Sequence, residues 1–222
     1  MDRALALPIP ICPPDVVRRS RVAATGADAS DEDLMRAYVA GEPRAFEALF
    51  ARYAPRVHAL FARTFRSRAI ADDLVQTTFL KIHAARASYR PELPVRPWLF
   101  GIAARVRIDE LRRRYRSQES GDDALDALPM PIEGGADAWP EQNEAAERVR
   151  RAIDGLPDGQ RIVVLLHRFE GMTFGEIAIA LAESEGTKLS EVAVRVRAFR
   201  AYDALRKALA DLDDSVDAGG ER

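Results

Sequence analysis

An acidic stretch in the middle of the chain divides it into two parts. From Ser117 to Glu147 the sequence holds nine acidic residues and neither lysine nor arginine, and Pro129, Pro131 and Pro140 break any regular pattern. Such a composition buries too little apolar surface to form a core and is typical of a linker. The chain is therefore expected to fold as two small units, one on each side of this segment.

Apolar residues on both sides of the acidic stretch recur at steps of three and four, the spacing of one buried face of an α-helix. Three such stripes precede it and can close one helical core, and Pro55 should kink the first helix or mark its restart. The chain is 47% apolar with short β-branched runs, which favours helix over sheet. We predict an all-α fold of two small helical domains, a bundle and then a helix-turn-helix, joined by the flexible linker.

The changes of pattern define five expected segments. A serine followed by an acid three residues later, Ser30 and Asp33, is a typical helix start and opens the first domain. The segments are a flexible N-terminal extension at 1–29, a first helical domain at 30–116, the acidic linker at 117–144, a second helical domain at 145–212 and a tail at 213–222.

The chain carries no pattern typical of an enzyme, a metal site or a membrane protein. Its single cysteine, Cys12, can form no intrachain disulfide, which favours a reducing, cytoplasmic compartment. No apolar run reaches the roughly 18 residues of a membrane helix, no phosphate- or dinucleotide-binding motif occurs, and His58, His83 and His167 lack metal-ligand spacing. We expect no cofactor, no catalytic residue and no membrane span.

A strongly basic segment precedes the linker. Residues 105–116 read RVRIDELRRRYR, with six arginines against two acidic residues. On a helix, Arg105, Arg112 and Arg116 share one side, and Trp98 lies shortly upstream. Arginines that meet phosphates beside aromatics that stack on bases fit single-stranded or melting DNA. A solvated charged face with Trp98 in the core explains the same pattern. The net charge of −2 is low for a DNA-binding protein, and the acidic linker accounts for part of that.

The second part contains a helix-turn-helix pattern. Thr173 and Glu176 can cap a short helix, and after a turn a second helix is expected over 190–209. Its arginines should project outward, where base edges and phosphates are met. An ordinary helical hairpin has the same periodicity. The residues expected to face inward on this second helix are Val192, Val196, Phe199 and Leu205.

Several motifs resemble those of bacterial RNA polymerase sigma factors. In the first part, the segments at 73–80 (DLVQTTFL), 96–103 (RPWLFGIA) and 109–113 (DELRR) resemble region 2 of that family. In the second part, 156–161 (LPDGQR), 170–173 (EGMT) and 176–178 (EIA) resemble region 4. The short linker and the lack of intervening domains identify the chain as a member of the extracytoplasmic-function group. The resemblance covers about residues 31–116 and 145–210 and rests on the order and spacing of the motifs.

The resemblance implies a role for each group of residues. The residues implied to dock on the clamp helices of the largest polymerase subunit are Asp72, Asp73, Leu74, Gln76 and Phe79. Those implied to capture and melt the minus-10 promoter element are Tyr89, Arg90, Arg96, Trp98, Arg105, Arg112 and Arg113. Those implied to read the minus-35 element are Thr173, Lys188, Ser190, Arg195, Arg197 and Arg200.

The resemblance also implies partners and a cellular role. The partners are core RNA polymerase, including the flap of its second-largest subunit, promoter DNA, and an anti-sigma protein that holds the two domains. The role is transcription initiation at a stress- or signal-responsive gene set. Two positions depart from the family pattern: Ala104 and Arg105 stand where Arg-Asn is common, and residues 183–188 lengthen the turn before a recognition helix that starts at Ser190.

Two other functions fit parts of the sequence. A stand-alone helix-turn-helix regulator with an N-terminal sensor or partner-binding domain would bind duplex DNA without polymerase. A helical adaptor that binds only proteins would contact no DNA. The stand-alone regulator has no reason to carry the motifs at 73–79 and 96–102.

Overall fold

All regular secondary structure in the described part of the chain is helical. In a computed structural model, residues 29–120, 144–185 and 188–217 form eight α-helices and no β-strand, which confirms the predicted all-α fold. Residues 1–28, 121–143, 186–187 and 218–222 lie outside the described residues. Residues 183–185, expected in the lengthened turn, continue α7 instead. The helices are α1 Asp31–Val39, α2 Pro43–Phe65, α3 Arg68–Ala85, α4 Val95–Ser120, α5 Glu144–Asp154, α6 Asp158–Val164, α7 Phe174–Glu185 and α8 Glu191–Asp217.

Side-chain caps fix the starts of four of these helices, α1, α3, α7 and α8, and Ser67 is the cap of α3. The backbone N–H of Asp33 donates to the Ser30 hydroxyl at the start of α1. At α7, Thr173 and Glu176 form the predicted reciprocal box: the N–H of Glu176 donates to the Thr173 hydroxyl and the N–H of Thr173 donates to the Glu176 carboxylate. The N–H of Ala193 donates to Ser190, so α8 begins where the sequence predicts. Each cap satisfies a donor that the first helical turn leaves unpaired.

Helices α1 to α4 enclose the first part of the core. Most of the apolar stripe of α2 is buried as predicted, with Tyr53, Val57 and Phe61 fully covered, but Phe50 of that stripe is exposed. Helices α3 and α4 pack against the buried part. Helix α2 runs unbroken through Pro55, so the expected restart does not occur. Proline at this position removes one hydrogen bond of the helix and leaves the Ala51 carbonyl without its partner.

Helices α5 to α8 enclose the second part of the core, in which α8 packs on α5, α6 and α7. The predicted orientation of α8 is wrong. Val194, Ala198 and Ala201 face the core, whereas the residues expected inside are exposed or half-buried. Both sets recur at steps of four and three. The buried set contains two alanines, and their small side chains allow α8 to approach its neighbours more closely. The outward set is Val192, Val196 and Phe199.

The two parts pack directly against each other. The most extensive contact between helices in the described residues joins α4 of the first part with α7 of the second. A turn at Gly171, whose φ of 63° favours glycine, leads the chain into α7. None of the helices described is long and apolar enough to cross a bilayer.

Candidate nucleic-acid interface

A shallow groove between α2 and α3 displays the predicted docking residues. Its floor holds Phe50 and Val75, and Asp72 and Gln76 line its rim. Asp73 is also exposed on α3. Carboxylates and an amide around an apolar floor form a surface that fits a basic or polar helix of another protein.

Two of the predicted docking residues belong to the core. Leu74 and Phe79 are buried, and the Phe79 ring packs 4.6 Å from that of Phe50, measured between centroids. Leu74 and Phe79 therefore support the groove from below, while the polar side chains of α3 face outward. Sequence reasoning did not assign the α2 side of the groove to this surface, where Phe50 is 42% exposed.

The loop before α4 and the start of that helix hold the first group of predicted minus-10 residues. Tyr89 and Trp98 form an edge-to-face pair with ring centroids 5.1 Å apart, and the Tyr89 hydroxyl donates to the Leu93 carbonyl at 2.5 Å. Trp98 is buried, as the core interpretation of this residue expects, and burial raises the pKa of Tyr89. Arg90 is exposed beside them.

The outer face of α4 carries the remaining predicted minus-10 cations. Arg105, Arg112 and Arg116 are exposed on one side of the helix, as their spacing predicts. Arg113 donates to Glu110 from Nε at 2.8 Å. Burial alone raises the pKa of the Glu110 carboxyl, but hydrogen bonds from its neighbouring arginines outweigh that effect, so the pKa of Glu110 is lowered. The result is a cationic ridge along α4 that fits a phosphate backbone.

The outward face of α8 combines apolar and basic side chains. At roughly 100° per residue, Val192, Val196 and Phe199 lie opposite the side buried in the core. Val192 is 69% and Phe199 is 72% exposed. Arg195 and Arg200 are exposed on the two flanks of this apolar stripe. An apolar centre between two cationic edges matches the major groove, where thymine methyl groups lie between two rows of phosphates.

The other predicted minus-35 residues lie around the start of α8. Lys188 is exposed just before it, Ser190 caps it, and Thr173 caps α7. Arg197 is half-buried, with one guanidinium nitrogen 3.9 Å from the position that a Cβ on Gly159 would take. Arg197 therefore points towards α6 rather than along the outward stripe.

Sequence reasoning missed a seam of arginines and carboxylates between the two parts. Arg107, one of the six arginines of the basic segment, is fully buried. Its guanidinium donates from both terminal nitrogens to the two oxygens of Asp158, with 3.0 Å for one of the two bonds. Its Nε donates to the Thr64 hydroxyl at 3.0 Å. The steps of three and four from Phe100 through Ala103 to residue 107 are the signal that places this arginine on the buried face of α4.

The other side of the seam joins α2 and α4 to the turn before α7. Arg56 Nε donates to Glu170 at 2.9 Å, and the Glu170 side chain is only 4% exposed. Arg96 donates to Glu176 at 2.5 Å, and Arg63 stacks 4.1 Å from the centroid of the Phe169 ring. In each ion pair across the seam the arginine comes from the first part of the chain and the carboxylate from the second.

The pKa values of these two seam carboxylates are shifted in opposite directions. Burial raises the pKa of Glu170, against the effect of Arg56 and Arg63. Burial also acts to raise the pKa of Glu176, but the hydrogen bonds from Arg96 and Thr173 outweigh it, so that pKa is lowered. Within residues 29–120, 144–185 and 188–217, no group of three or more histidine, cysteine, aspartate or glutamate side chains is placed to hold a metal ion.

Comparison with protein families matches both parts of the chain. The family model of Sigma-70 region 2 matches residues 49–117, and that of Sigma-70, region 4 matches residues 146–205. The RNA polymerase sigma factor CarQ of Myxococcus xanthus is 37% identical over 180 residues, which cover 79% of this chain and 95% of CarQ. The ECF RNA polymerase sigma factor SigM of Mycobacterium tuberculosis is 32% identical over 192 residues, which cover 84% of this chain and 88% of SigM.

Two solved structures share the fold. CnrH, determined in complex with the cytosolic domain of CnrY, superposes with a TM-score of 0.59 at 29% identity, covering 83% of this chain and 99% of CnrH. The sigma factor RpoE of Bartonella quintana, determined with the anti-sigma factor NepR, gives a TM-score of 0.57 at 21% identity. That match covers 74% of this chain and 96% of RpoE, and it supports the fold alone.

Proposed function

Because the chain belongs to the sigma-70 family of RNA polymerase sigma factors, in its extracytoplasmic-function group, we propose that it is the dissociable subunit that directs core polymerase to a particular set of promoters. The observation that carries this function is the presence of both promoter-binding regions in family order on one chain. The chain works in the cytoplasm, where polymerase is, and contributes recognition rather than chemistry.

Docking on the polymerase uses the groove between α2 and α3. Asp72, Asp73 and Gln76 offer acceptors and a donor to the clamp helices of the largest subunit, and Phe50 offers an apolar contact. Such a combination of an apolar centre and a polar rim is typical of transient protein interfaces. The flap of the second-largest subunit binds the second part of the chain in this proposal.

Recognition of the minus-10 element uses the loop before α4 and the cationic ridge of that helix. Arg105 and Arg112 are exposed and meet backbone phosphates. Arg90 and Tyr89 stand at the loop where an unstacked base would be held. Trp98 acts from below, by packing edge to face on Tyr89 and fixing the position of its ring.

Recognition of the minus-35 element uses the outward face of α8. Arg195 and Arg200 meet phosphates or base edges on opposite walls of the major groove, and the apolar stripe of Val192, Val196 and Phe199 meets its floor. Helices of helix-turn-helix proteins lie in the major groove in this way. Lys188 adds a phosphate contact at the start of the helix.

Run-off transcription with purified core polymerase tests the proposal. Addition of the chain should produce transcripts with discrete starts from a genomic promoter library, and sequencing of the RNA ends should reveal two shared upstream elements. A stand-alone regulator would instead shift duplex DNA without polymerase. Equal transcription with and without the chain would refute the sigma-factor function.

An anti-sigma protein is the remaining partner that we propose. The RpoE of Bartonella quintana was solved with the anti-sigma factor NepR, and CnrH was solved with the cytosolic domain of CnrY. Affinity purification of the tagged chain from cells in which its promoters are silent should recover a small protein in equimolar amount. Recovery of core polymerase alone under these conditions would contradict this part of the proposal.

A further inference from the structure

The groove between α2 and α3 exposes an apolar floor. Phe50 is 42% exposed at this surface, and Ala51, Ala54, Pro55 and Val75 line the groove beside it. Because proline has no N–H, the Ala51 carbonyl on the α2 wall lacks its helical donor. Apolar side chains, an exposed ring and a backbone acceptor together form the kind of surface that binds an extended apolar segment.

The N-terminal extension, which lies outside the described residues, contains a segment whose chemistry matches this floor. Residues 8–14 read PIPICPP, with four prolines, two isoleucines and no charged residue. The proline ring fixes φ at about −65°, so such a segment loses less backbone entropy when it binds in the extended polyproline II form. Proline-rich segments of this kind bind grooves lined by aromatic side chains. The N–H groups of Ile9 and Ile11 are donors that the Ala51 carbonyl lacks.

The extension joins the described structure beside the helix that forms one wall of the groove. The Ala29 carbonyl accepts from Arg52 of α2 at 3.2 Å, and Arg52 also pairs with Asp31. Arg52 directly follows the groove wall in sequence, so the path from this anchor to the groove crosses the width of one helix, about 10 Å. Residues 15–28 extend to at most roughly 45–50 Å. Residues 8–14 are therefore well within reach of the groove.

The charges of the segment and the groove are complementary. Asp72 and Asp73 are exposed at the α3 rim, and Glu47 is exposed one turn before the groove on α2. Residues 16–21 read VVRRSR, with three arginines between the anchor and the proline-rich segment. Opposite charges at these places favour the encounter and fix the register of the segment. The apolar stripe of α8 is flanked by arginines instead, so it offers no such match.

We propose that residues 8–14 dock in the groove between α2 and α3 of the same chain, with the arginines of 16–21 against its acidic rim. The segment then competes with the clamp helices of polymerase, a consequence that rests on the proposed docking function of the groove. A tether of this length holds the segment at an effective concentration on the order of 1 mM. A contact with a dissociation constant of about 0.1 mM is then filled about ten times as often as it is empty, which weakens polymerase binding about tenfold.

Disulfide trapping in the full chain tests the docking. The single cysteine of the chain, Cys12, lies within the proline-rich segment, so one introduced cysteine reports where that segment lies. Ala51→Cys places a thiol on the exposed groove wall, and Ala208→Cys places one at an exposed alanine of α8. Under a mild oxidant and at low protein concentration, the intramolecular disulfide should form roughly tenfold faster in Ala51→Cys than in Ala208→Cys. Equal rates in the two chains would refute the docking.

Charges placed in the segment separate docking from the effect of the tether. Ile9→Asp combined with Ile11→Asp keeps the tether and Cys12, but its carboxylates are costly to bury on an apolar floor and are repelled by the acidic rim. The trapping rate of Ala51→Cys in this background should fall to that of Ala208→Cys. The same charge change at Ala23 and Ala24, outside the segment, should leave the rate unchanged. An unchanged rate in the isoleucine double variant would show that the tether alone brings the two thiols together, and would overturn the proposal.

Binding to core polymerase tests the competition. With the native groove, the Ile9→Asp, Ile11→Asp chain should bind core polymerase about tenfold more tightly than wild type, and the oxidised Ala51→Cys chain should bind only after reduction. Equal affinity of wild type and the double variant would refute the competition. Failure of the sigma-factor function has a different signature. In that case neither wild type nor the double variant gives promoter-dependent transcripts with core enzyme, whatever the trapping rates show.

Discussion

Replacement of Phe199 by alanine should weaken use of the minus-35 element without affecting the fold. The ring is 72% exposed on α8, so its loss should change the free energy of unfolding by no more than about 0.5 kcal/mol. Burying one methyl group against an apolar side chain is worth roughly 0.8 kcal/mol, which corresponds to about a fourfold change in binding. Loss of the whole ring should reduce promoter use by about 1–2 kcal/mol, or roughly five- to thirtyfold.

The assay can isolate the contact between Phe199 and a thymine methyl group. Templates with deoxyuridine in place of thymidine at single minus-35 positions lack only that methyl group. Each modified template competes with the unmodified template in one run-off transcription reaction. Transcription directed by the wild-type chain should fall about fourfold when the contacted thymine is replaced. Transcription directed by Phe199→Ala should not change with the same replacement. Val39→Ala, an exposed apolar position on α1, is the control. Equal sensitivity of wild type and Phe199→Ala at every thymine would show that the apolar stripe does not face the bases.

Three further predictions follow from other contacts. Arg200→Ala should weaken minus-35 use by roughly 1–3 kcal/mol if its side chain meets a base edge; an unchanged promoter profile in sequenced transcripts would contradict the placement of α8. Asp73→Arg should abolish co-purification with core polymerase while helix content is retained, and Glu144→Arg should co-purify normally. The lowered pKa of Glu176 means that its bond to Arg96 stabilises the folded chain above the ordinary pKa of 4.5 and that this stabilisation is lost as the pH falls below that value. The free energy of unfolding should therefore decrease below about pH 4.5, and this decrease should be smaller in Glu176→Gln; equal acid sensitivity of the two chains would count against the bond.

Most of the fold follows from local patterns in the sequence. The stripe of α2 holds large apolar residues on one face only, so Tyr53, Val57 and Phe61 could be placed in the core from spacing alone. The helix starts at Ser30 and Ser190 were predictable for a similar reason, because a cap is made by residues two or three positions apart.

The orientation of α8 could not be predicted by the same rule. This helix carries one set of apolar residues at Val194, Ala198 and Ala201 and a second set that includes Val192 and Phe199, both with helical spacing. The rule that larger apolar residues lie inside selects the wrong set. Tertiary packing buries the set with the smaller residues. The set with the larger residues remains on the surface that we propose contacts DNA.

The seam could not be predicted because its partners are far apart in sequence. Arg107 lies among five other arginines of the same segment, and its spacing from Phe100 and Ala103 places it on the buried face of α4. Its partner, Asp158, lies 51 positions further along. Local spacing therefore indicates that Arg107 is buried, but only the three-dimensional packing of the two parts reveals which carboxylate it binds.

The one-sided charge of the seam bears on how such chains can be recombined. In each ion pair across the seam the arginine belongs to the first part and the carboxylate to the second, so the two parts recognise each other as a matched pair. A hybrid that joins residues 29–120 of this chain to the region 4 of another sigma factor would keep its polymerase groove and acquire the other minus-35 preference. Unless the donor supplied carboxylates at the positions of Asp158 and Glu170, Arg107 and Arg56 would lose their partners and the two parts of the hybrid would not pack in this register.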